Sequence, residues 1–370
     1  MYPHMNDDFL LKKLDERQQQ NAFRRLLLPN GKTDFCSNDY LGIVHNGLIE
    51  KKLTETTTVY KHGSTGSRLL AGNYALVEET EKMLAAFHAA EAGLIFNSGY
   101  DANLGLLSCV PQRGDTIIYD YLSHASLRDG IRLSFAQSFS FKHNDLEDLE
   151  KRLQAATGTI FVVTESVFSM DGDKAPLVAI SALCRQYGAH LIVDEAHGTG
   201  VVGRQGEGLV QQLNLQAACF ARIHTFGKAV GCHGAIVLGS ERLRNYLINF
   251  SRSFIYSTSL PEASVAAIRC AYELLAGMHA ERAHLQQLIN TFQQAGMRYE
   301  KLVSDTPIQI VIIPGNDQVK KVAGELQTAG LDVRAILYPT VPRGKERLRI
   351  VLHAFNTMGE LEQVIKVLGS

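Results

Sequence analysis

From about Ala92 onward, short runs rich in Val, Ile and Phe alternate with longer amphipathic stretches, and this alternation constrains the fold more than any other feature. Strands joined by crossover helices produce such a pattern, because strands buried on both faces read as near-continuous apolar runs. The spacing predicts strands at Gly93–Asn97, Thr116–Tyr119, Gln137–Phe141, Thr159–Thr164, His190–Asp194, Arg222–Thr225 and Gly234–Gly239. Helical spacing lies between them, as in Leu146–Ala156 and Leu177–Tyr187. These seven strands imply one large α/β domain with a mostly parallel sheet, expected over residues 43–254. Two helical patterns follow, Ser264–Met278 and Glu281–Ala295, then strand-like Gln309–Ile313, helix-like Gln318–Ala329, strand-like Arg347–Leu352 and a final helix. They suit a smaller α+β domain over residues 255–370. Residues 1–42, a charged helix-like segment ending at Pro29 and then Phe35–Leu41, hold too little apolar content for a core and are expected to pack on the rest as an N-terminal arm.

The composition agrees: 370 residues at 45% hydrophobic and 20% charged suffice for two or three cores and exclude disorder. Thirty-seven basic against thirty-eight acidic side chains leave a net charge of −1, so no global field draws the chain to nucleic acid or a membrane surface. The N-terminal residues lack a basic segment before an apolar one, and no run approaches the ~18 apolar residues of a membrane span. A cytoplasmic location is the expectation. Cys36, Cys109, Cys184, Cys219, Cys232 and Cys270 lie far apart with no C-x-x-C, so neither a disulfide framework nor a metal site is expected.

Two motifs mislead. Gly198-Thr-Gly-Val-Val-Gly203 follows an apolar strand and satisfies G-x-G-x-x-G, but Arg204-Gln-Gly-Glu-Gly208 after it has loop composition. No acidic residue lies between Glu207 and Glu241 to hold a ribose, which counts against a dinucleotide site. Asp194-Glu-Ala-His197 spells a helicase-like string, yet the Gly31-Lys32-Thr33 run has Leu26 where a phosphate loop needs its first glycine. Neither a G-x-S-x-G elbow nor an H-E-x-x-H pair is present.

What remains is a set of polar residues where parallel strands should end, the place where open α/β sheets bind ligands. Asp194 closes the strand His-Leu-Ile-Val-Asp, apolar enough to be buried, and a buried carboxylate needs a donor or cation. Taken alone it reads as an aspartate capping the next turn. Lys228 stands after the next strand in Thr225-Phe-Gly-Lys228, followed by Gly231 and Gly234. A lysine there is either solvated or desolvated enough to free its amine for imine chemistry. A carboxylate for a pyridine nitrogen, a lysine for a Schiff base and a hydroxyl three residues before it are the parts pyridoxal phosphate requires.

Asp194-Glu-Ala-His-Gly-Thr-Gly, Thr225-Phe-Gly-Lys-Ala and Thr164-Glu-Ser-Val-Phe-Ser-Met-Asp-Gly-Asp173 resemble the fold-type-I pyridoxal-phosphate transferases, and specifically the α-oxoamine synthases. Ser37-Asn-Asp-Tyr-Leu-Gly42, Gly63-Ser-Thr-Gly-Ser-Arg68, Asn97-Ser-Gly-Tyr-Asp-Ala-Asn103, Ser123-His-Ala-Ser126, Tyr256-Ser-Thr-Ser-Leu-Pro261 and Pro339-Thr-Val-Pro-Arg-Gly-Lys-Glu-Arg-Leu-Arg349 fall in that family's order, so the resemblance runs nearly end to end.

The resemblance implies roles residue by residue. Lys228 carries the cofactor and later removes the substrate's α-proton; Asp194 pairs with the ring nitrogen; His124 stacks on the ring; His197 and Ser169 hydrogen-bond its phenolic oxygen. The backbone at Gly99 and Tyr100, opening a helix whose dipole favours an anion, binds the phosphate together with Thr225. Thr258 matches a position that reaches the phosphate from a neighbouring subunit, which implies a homodimer with shared sites. Arg349 corresponds to the arginine that grips the amino acid's carboxylate, although Arg347 points to the same face. Asn38 assists, Thr340 lies among acyl contacts, and Arg24 aligns with an acyl-chain contact, beside Arg25. For His124, His197 and Ser169 the competing reading is a satisfied core residue, and for Arg349 a surface charge.

The implied reaction condenses a small amino acid with an acyl thioester on coenzyme A or a carrier protein, with loss of carbon dioxide. Gly63–Arg68 with Leu69-Leu-Ala-Gly-Asn73 is most similar to the biotin-pathway branch, which uses L-alanine and a pimeloyl thioester. Branches using other amino acids and acyl groups share the core. An aminotransferase would use the same lysine, aspartate and phosphate cup, and a non-catalytic scaffold would show an eroded site.

Overall fold

The computed structural model describes residues 7–28 and 31–369. The chain forms two compact units, one comprising Asn38–Ser169 and Asp173–His284, the other the described parts of Met1–Ser37 and Leu285–Ser370 with Met170–Gly172.

The larger unit is organised by the apolar runs. They form β1 (Ala92–Phe96), β2 (Thr116–Asp120), β3 (Gln137–Phe141), β4 (Ile160–Glu165), β5 (His190–Asp194), β6 (Cys219–Thr225) and β7 (Ala235–Gly239). They make a seven-stranded sheet in the order β1-β7-β6-β5-β4-β2-β3. Pairing is parallel except where β7 lies antiparallel between β1 and β6. The strand expectations are met to within a residue or two except for β6, which begins three residues before Arg222, the charged side chain that interrupts its apolar run.

Helices α1 (Ala75–Phe87), α2 (Gly99–Cys109), α3 (Ala125–Leu133) and α4 (Glu262–Leu275) belong to the same unit. Leu106, Leu107, Leu127 and Ile131 of α2 and α3 share one core with Ile117, Val163, Ile192 and Ile223 of the sheet. Burying each such side chain contributes about 1.5–3 kcal/mol. Gly93 is required by close packing, because a Cβ there would lie 2.6 Å from Ile236 Cδ1 on the neighbouring strand. Helix α4, assigned from the sequence to the smaller domain, packs on α1 and groups with the sheet.

The smaller unit holds a four-stranded antiparallel sheet of β8 (Glu300–Lys301), β9 (Ile308–Ile312), β10 (Arg334–Ile336) and β11 (Arg347–Val351), ordered β10-β11-β9-β8. A separate two-residue ladder pairs Thr33–Asp34 with Leu331–Asp332. The N-terminal helix ends at Gln19, short of Pro29, which lies outside the described residues. The last helix, Met358–Leu368, opens with a capping box in which Thr357 and Glu360 satisfy each other's backbone amides.

Candidate functional site

Parallel pairing brings the carboxyl ends of β4, β5 and β6 to one edge of the sheet, where Glu165 is the register partner of Asp194 and Asp194 that of Ile223. Asp194 is buried, and its carboxylate accepts from Asn103 Nδ2 of α2 at 2.7 Å and from the Ala196 amide at 2.9 Å. Asn103 also donates to Ser126 Oγ at 2.9 Å, at the start of α3. The residue before α3 is His124, whose Nδ1 accepts from the Ser126 amide at 3.2 Å and whose own amide donates to Glu165 Oε1 at 2.6 Å.

The charges explain why these groups act as one cluster. Burial pushes the Glu165 carboxyl up to about 8, the neighbouring Asp194 charge adds to the rise, and the His124 amide and Lys228 oppose it. Burial also lowers the basicity of His124, which Asp194 raises and Lys228 lowers. Glu165 and His124 therefore each feel the charges of both Asp194 and Lys228.

Lys228 is half-buried in a turn closed by three backbone bonds, Gly231 N to Lys228 O at 2.8 Å, Cys232 N to Phe226 O at 2.7 Å and Phe226 N to Gly234 O at 2.9 Å. Gly231 sits at φ +67°, and a Cβ on it would meet Ile43 at 2.9 Å. Thr225, at the end of β6, presents its hydroxyl to the start of α2, since a Cβ on Gly99 would lie 3.3 Å from Thr225 Oγ1. Ser98 caps that helix, accepting from the Asp101 amide at 3.0 Å, which leaves the amides of Gly99 and Tyr100 at the positive end of the dipole. The Tyr100 side chain turns away and bonds Asp129.

His197 is buried with its Nδ1 2.6 Å from the hydroxyl of Tyr40, which is also 3.2 Å from Asn38 Oδ1. Ser169 is half-buried on the loop after β4. His143 pins that loop, with Nδ1 on Asp120 at 2.9 Å and Nε2 on Asp173 at 2.8 Å, and the two carboxylates raise its pKa to about 10 against the opposing cost of burial. Thr258 is exposed, and its carbonyl accepts from Asn97 Nδ2 at 2.7 Å.

In the smaller unit, Arg24 Nη2 donates to Thr340 Oγ1 at 3.0 Å, joining two residues singled out from the sequence. Arg347 is buried and donates to Met170 O at 3.0 Å and to Asp171. That commitment separates it from Arg349, two positions along β11 and half-buried.

The family model for class I and II aminotransferases matches residues 30–368. The chain belongs to that family. Within it the chain is an α-oxoamine synthase. It is 41% identical to an 8-amino-7-oxononanoate synthase of Emericella nidulans over 98% of this chain and 95% of that one. It is 38% identical to another of that name from Marinobacter nauticus, covering 97% and 95%. A serine palmitoyltransferase from S. paucimobilis, solved with a bound PLP–myriocin aldimine, superposes with a TM-score of 0.86 at 26% identity, covering 97% of this chain and 96% of that one. The sheet is accordingly that of a fold-type-I pyridoxal-phosphate transferase.

Three residues of this α-oxoamine synthase went unassigned at the sequence level although each lies in a quoted motif: Tyr40, Asn103 and Glu165. Asn103 carried one usable signal, its place one turn after Gly99 on the same helix face. Glu165 gives a test of the cluster's electrostatics. Its carboxyl is neutral in the fold up to about pH 8 and ionises near the ordinary 4.5 in the unfolded chain, so the folded state binds more protons between those values. Its contribution to stability is present below that window and is lost as pH rises through it. The Gln of Glu165→Gln keeps an acceptor for the His124 amide and removes the titration. Between pH 5 and pH 8 the urea midpoint of the cofactor-free parent should fall relative to that of the variant. Buried His88, depressed to about 3, acts in the opposite sense below pH 6.5 in both proteins and cancels in the comparison. Parallel pH profiles would sink the assignment of a neutral Glu165.

Proposed function

We propose that this protein catalyses the decarboxylative condensation of L-alanine with a pimeloyl thioester, carried on coenzyme A or a carrier protein, to give 8-amino-7-oxononanoate for biotin synthesis. The observation that supports the reading is the buried Asp194 at the end of β5, in register with Glu165, which holds the His124 amide, with the charge of Lys228 acting on both Glu165 and His124. The curated relatives of matching length support the choice of substrates.

The residues present fit pyridoxal phosphate. A buried carboxylate with two donors suits a protonated ring nitrogen, and the start of α2, with Thr225 Oγ1 against Gly99, suits a phosphate. When bound, this cofactor supplies an electron sink for a carbanion at the amino acid's α-carbon. Lys228 would anchor it and then accept the α-proton at Nζ. Asp194 would keep a proton on the ring nitrogen, and each pKa unit it added would be worth about 1.4 kcal/mol. His124, with its backbone fixed by Glu165 and its Nδ1 by Ser126, would cover the ring. His197 and Ser169 would serve the phenolic oxygen, and the amides of Gly99 and Tyr100 with Thr225 the phosphate. We assign Arg349 and Asn38 to the alanine carboxylate and Arg24 and Thr340 to the acyl group.

The α-carbon attacks the thioester carbonyl, the C–S bond breaks and the thiol departs. The carboxylate then leaves as carbon dioxide, with His124 or His197 assisting, and a proton returns to the carbon. In our reading two copies share their sites, with Thr258 serving the partner's phosphate, and the enzyme works in the cytoplasm. Among the described residues no helix is long and apolar enough to cross a membrane.

The test is to incubate the cofactor-loaded protein with alanine or glycine, each with pimeloyl-, acetyl-, succinyl- or palmitoyl-CoA, and to follow release of the thiol. Release with alanine and pimeloyl-CoA is expected. Turnover with glycine and acetyl-CoA alone would defeat the biotin assignment. Pyruvate formed from alanine without any thioester would indicate transamination, the reaction named by the family description.

A further inference from the structure

Tyr40 is fully buried between two residues that the proposed function places on opposite duties, Asn38 for the amino acid and His197 for the cofactor's phenolic oxygen. Its hydroxyl lies 2.6 Å from His197 Nδ1 and 3.2 Å from Asn38 Oδ1, and its ring is tilted 52° to the imidazole. A phenol has one proton to donate, whereas a neutral imidazole has one donor and one acceptor nitrogen. Where the hydroxyl proton goes therefore fixes which imidazole nitrogen carries hydrogen.

We propose that Tyr40 is a positioning residue that holds His197 in the tautomer protonated at Nε2, with Asn38 as the alternative acceptor that can release it. If the hydroxyl donates to Nδ1, the shorter of its two contacts, the imidazole hydrogen sits on Nε2 and that nitrogen is the donor. If the hydroxyl turns to Asn38 Oδ1, Nδ1 must donate to the phenol oxygen and Nε2 becomes an acceptor. The motif Ser37-Asn-Asp-Tyr40 thereby links the occupancy of Asn38 to the hydrogen-bonding character of His197, across 157 residues of sequence. Only the local backbone has to hold Asn38 and Tyr40 together, and Tyr40 is well held, with Leu41 and Ile43 after it also fully buried.

This inference rests on the roles given above to Asn38 and His197, so its test is kept separate from turnover. In cofactor-loaded protein labelled with ¹⁵N-histidine, the ring shifts of His197, assigned by its absence in His197→Asn, should show hydrogen on Nε2. Hydrogen on Nδ1 would overturn the proposal without any Tyr40 variant being made. In Tyr40→Phe no hydroxyl donates to Nδ1, so the ¹⁵N shift of His197 Nδ1 should move toward that of an acceptor nitrogen without a hydrogen bond. A folded variant with the parent's Nδ1 shift would likewise overturn it. Absence of turnover with alanine and pimeloyl-CoA would remove the proposed substrates while leaving the tautomer result standing.

Discussion

Lys228→Ala should lower the rate of thiol release from alanine and pimeloyl-CoA by at least about 10³-fold, the scale on which loss of a group that acts as both nucleophile and base is felt. The fold should survive. The turn carrying Lys228 is closed by backbone bonds to Gly231, Cys232 and Gly234, none of which involves its side chain. The half-buried side chain leaves no large apolar cavity when shortened. A second signature follows from the cluster. Lys228 pulls the Glu165 carboxyl down and lowers the basicity of His124, so its removal should raise the pKa of both. In the parent, borohydride should fix the cofactor on the peptide containing Lys228, and in the variant on none. Activity within tenfold of the parent, or label on another lysine of the parent, would contradict the role of Lys228.

The parts of the fold legible in the sequence were those whose burial is nearly uniform. In β5 the run Leu191-Ile-Val is almost wholly enclosed, and its bounds emerge unchanged because no solvent-facing residue interrupts it. The ladder of Thr33–Asp34 with Leu331–Asp332 was invisible, since two residues carry no period and the partner lies almost 300 residues away. The site divides in the same way. Asp194, Lys228, Thr225 and Gly99 stand at strand ends or a helix start, where position alone suggests chemistry. Asn103 acquires its meaning from Asp194, 91 residues off, and Tyr40 from His197, 157 residues off, so neither has a local signature. Arg347 and Arg349 share a face of β11, and a period of two cannot rank them. The bond from Arg347 to Asp171 does, by committing one guanidinium to the packing of the smaller unit.

For Asp194→Asn, turnover should fall by at least about 100-fold with little change in stability, and the reason lies in Asn103. The carboxylate accepts from Asn103 Nδ2 and from the Ala196 amide. An amide in its place keeps one acceptor for Ala196 but turns an NH2 toward the NH2 of Asn103, an opposition that would cost about 1–3 kcal/mol if it persisted. Asn103 can relieve it, because its Oδ1 is buried with no hydrogen-bond partner, and rotating the side-chain amide would bring that oxygen to the new donor. The sacrifice is its bond to Ser126 Oγ, which keeps its contact with His124 Nδ1 at 2.8 Å. The variant thus removes charge while leaving packing nearly intact. Loss of that charge should also lower the Glu165 carboxyl toward its ordinary range, since Asp194 is among the causes that raise it. The fall in stability between pH 5 and pH 8 attributed to Glu165 should therefore shrink in this variant, in protein free of cofactor and independently of turnover. An unchanged pH profile would break the electrostatic link between β4 and β5. Turnover within tenfold of the parent would mean that the negative charge at the end of β5 is not what the reaction uses.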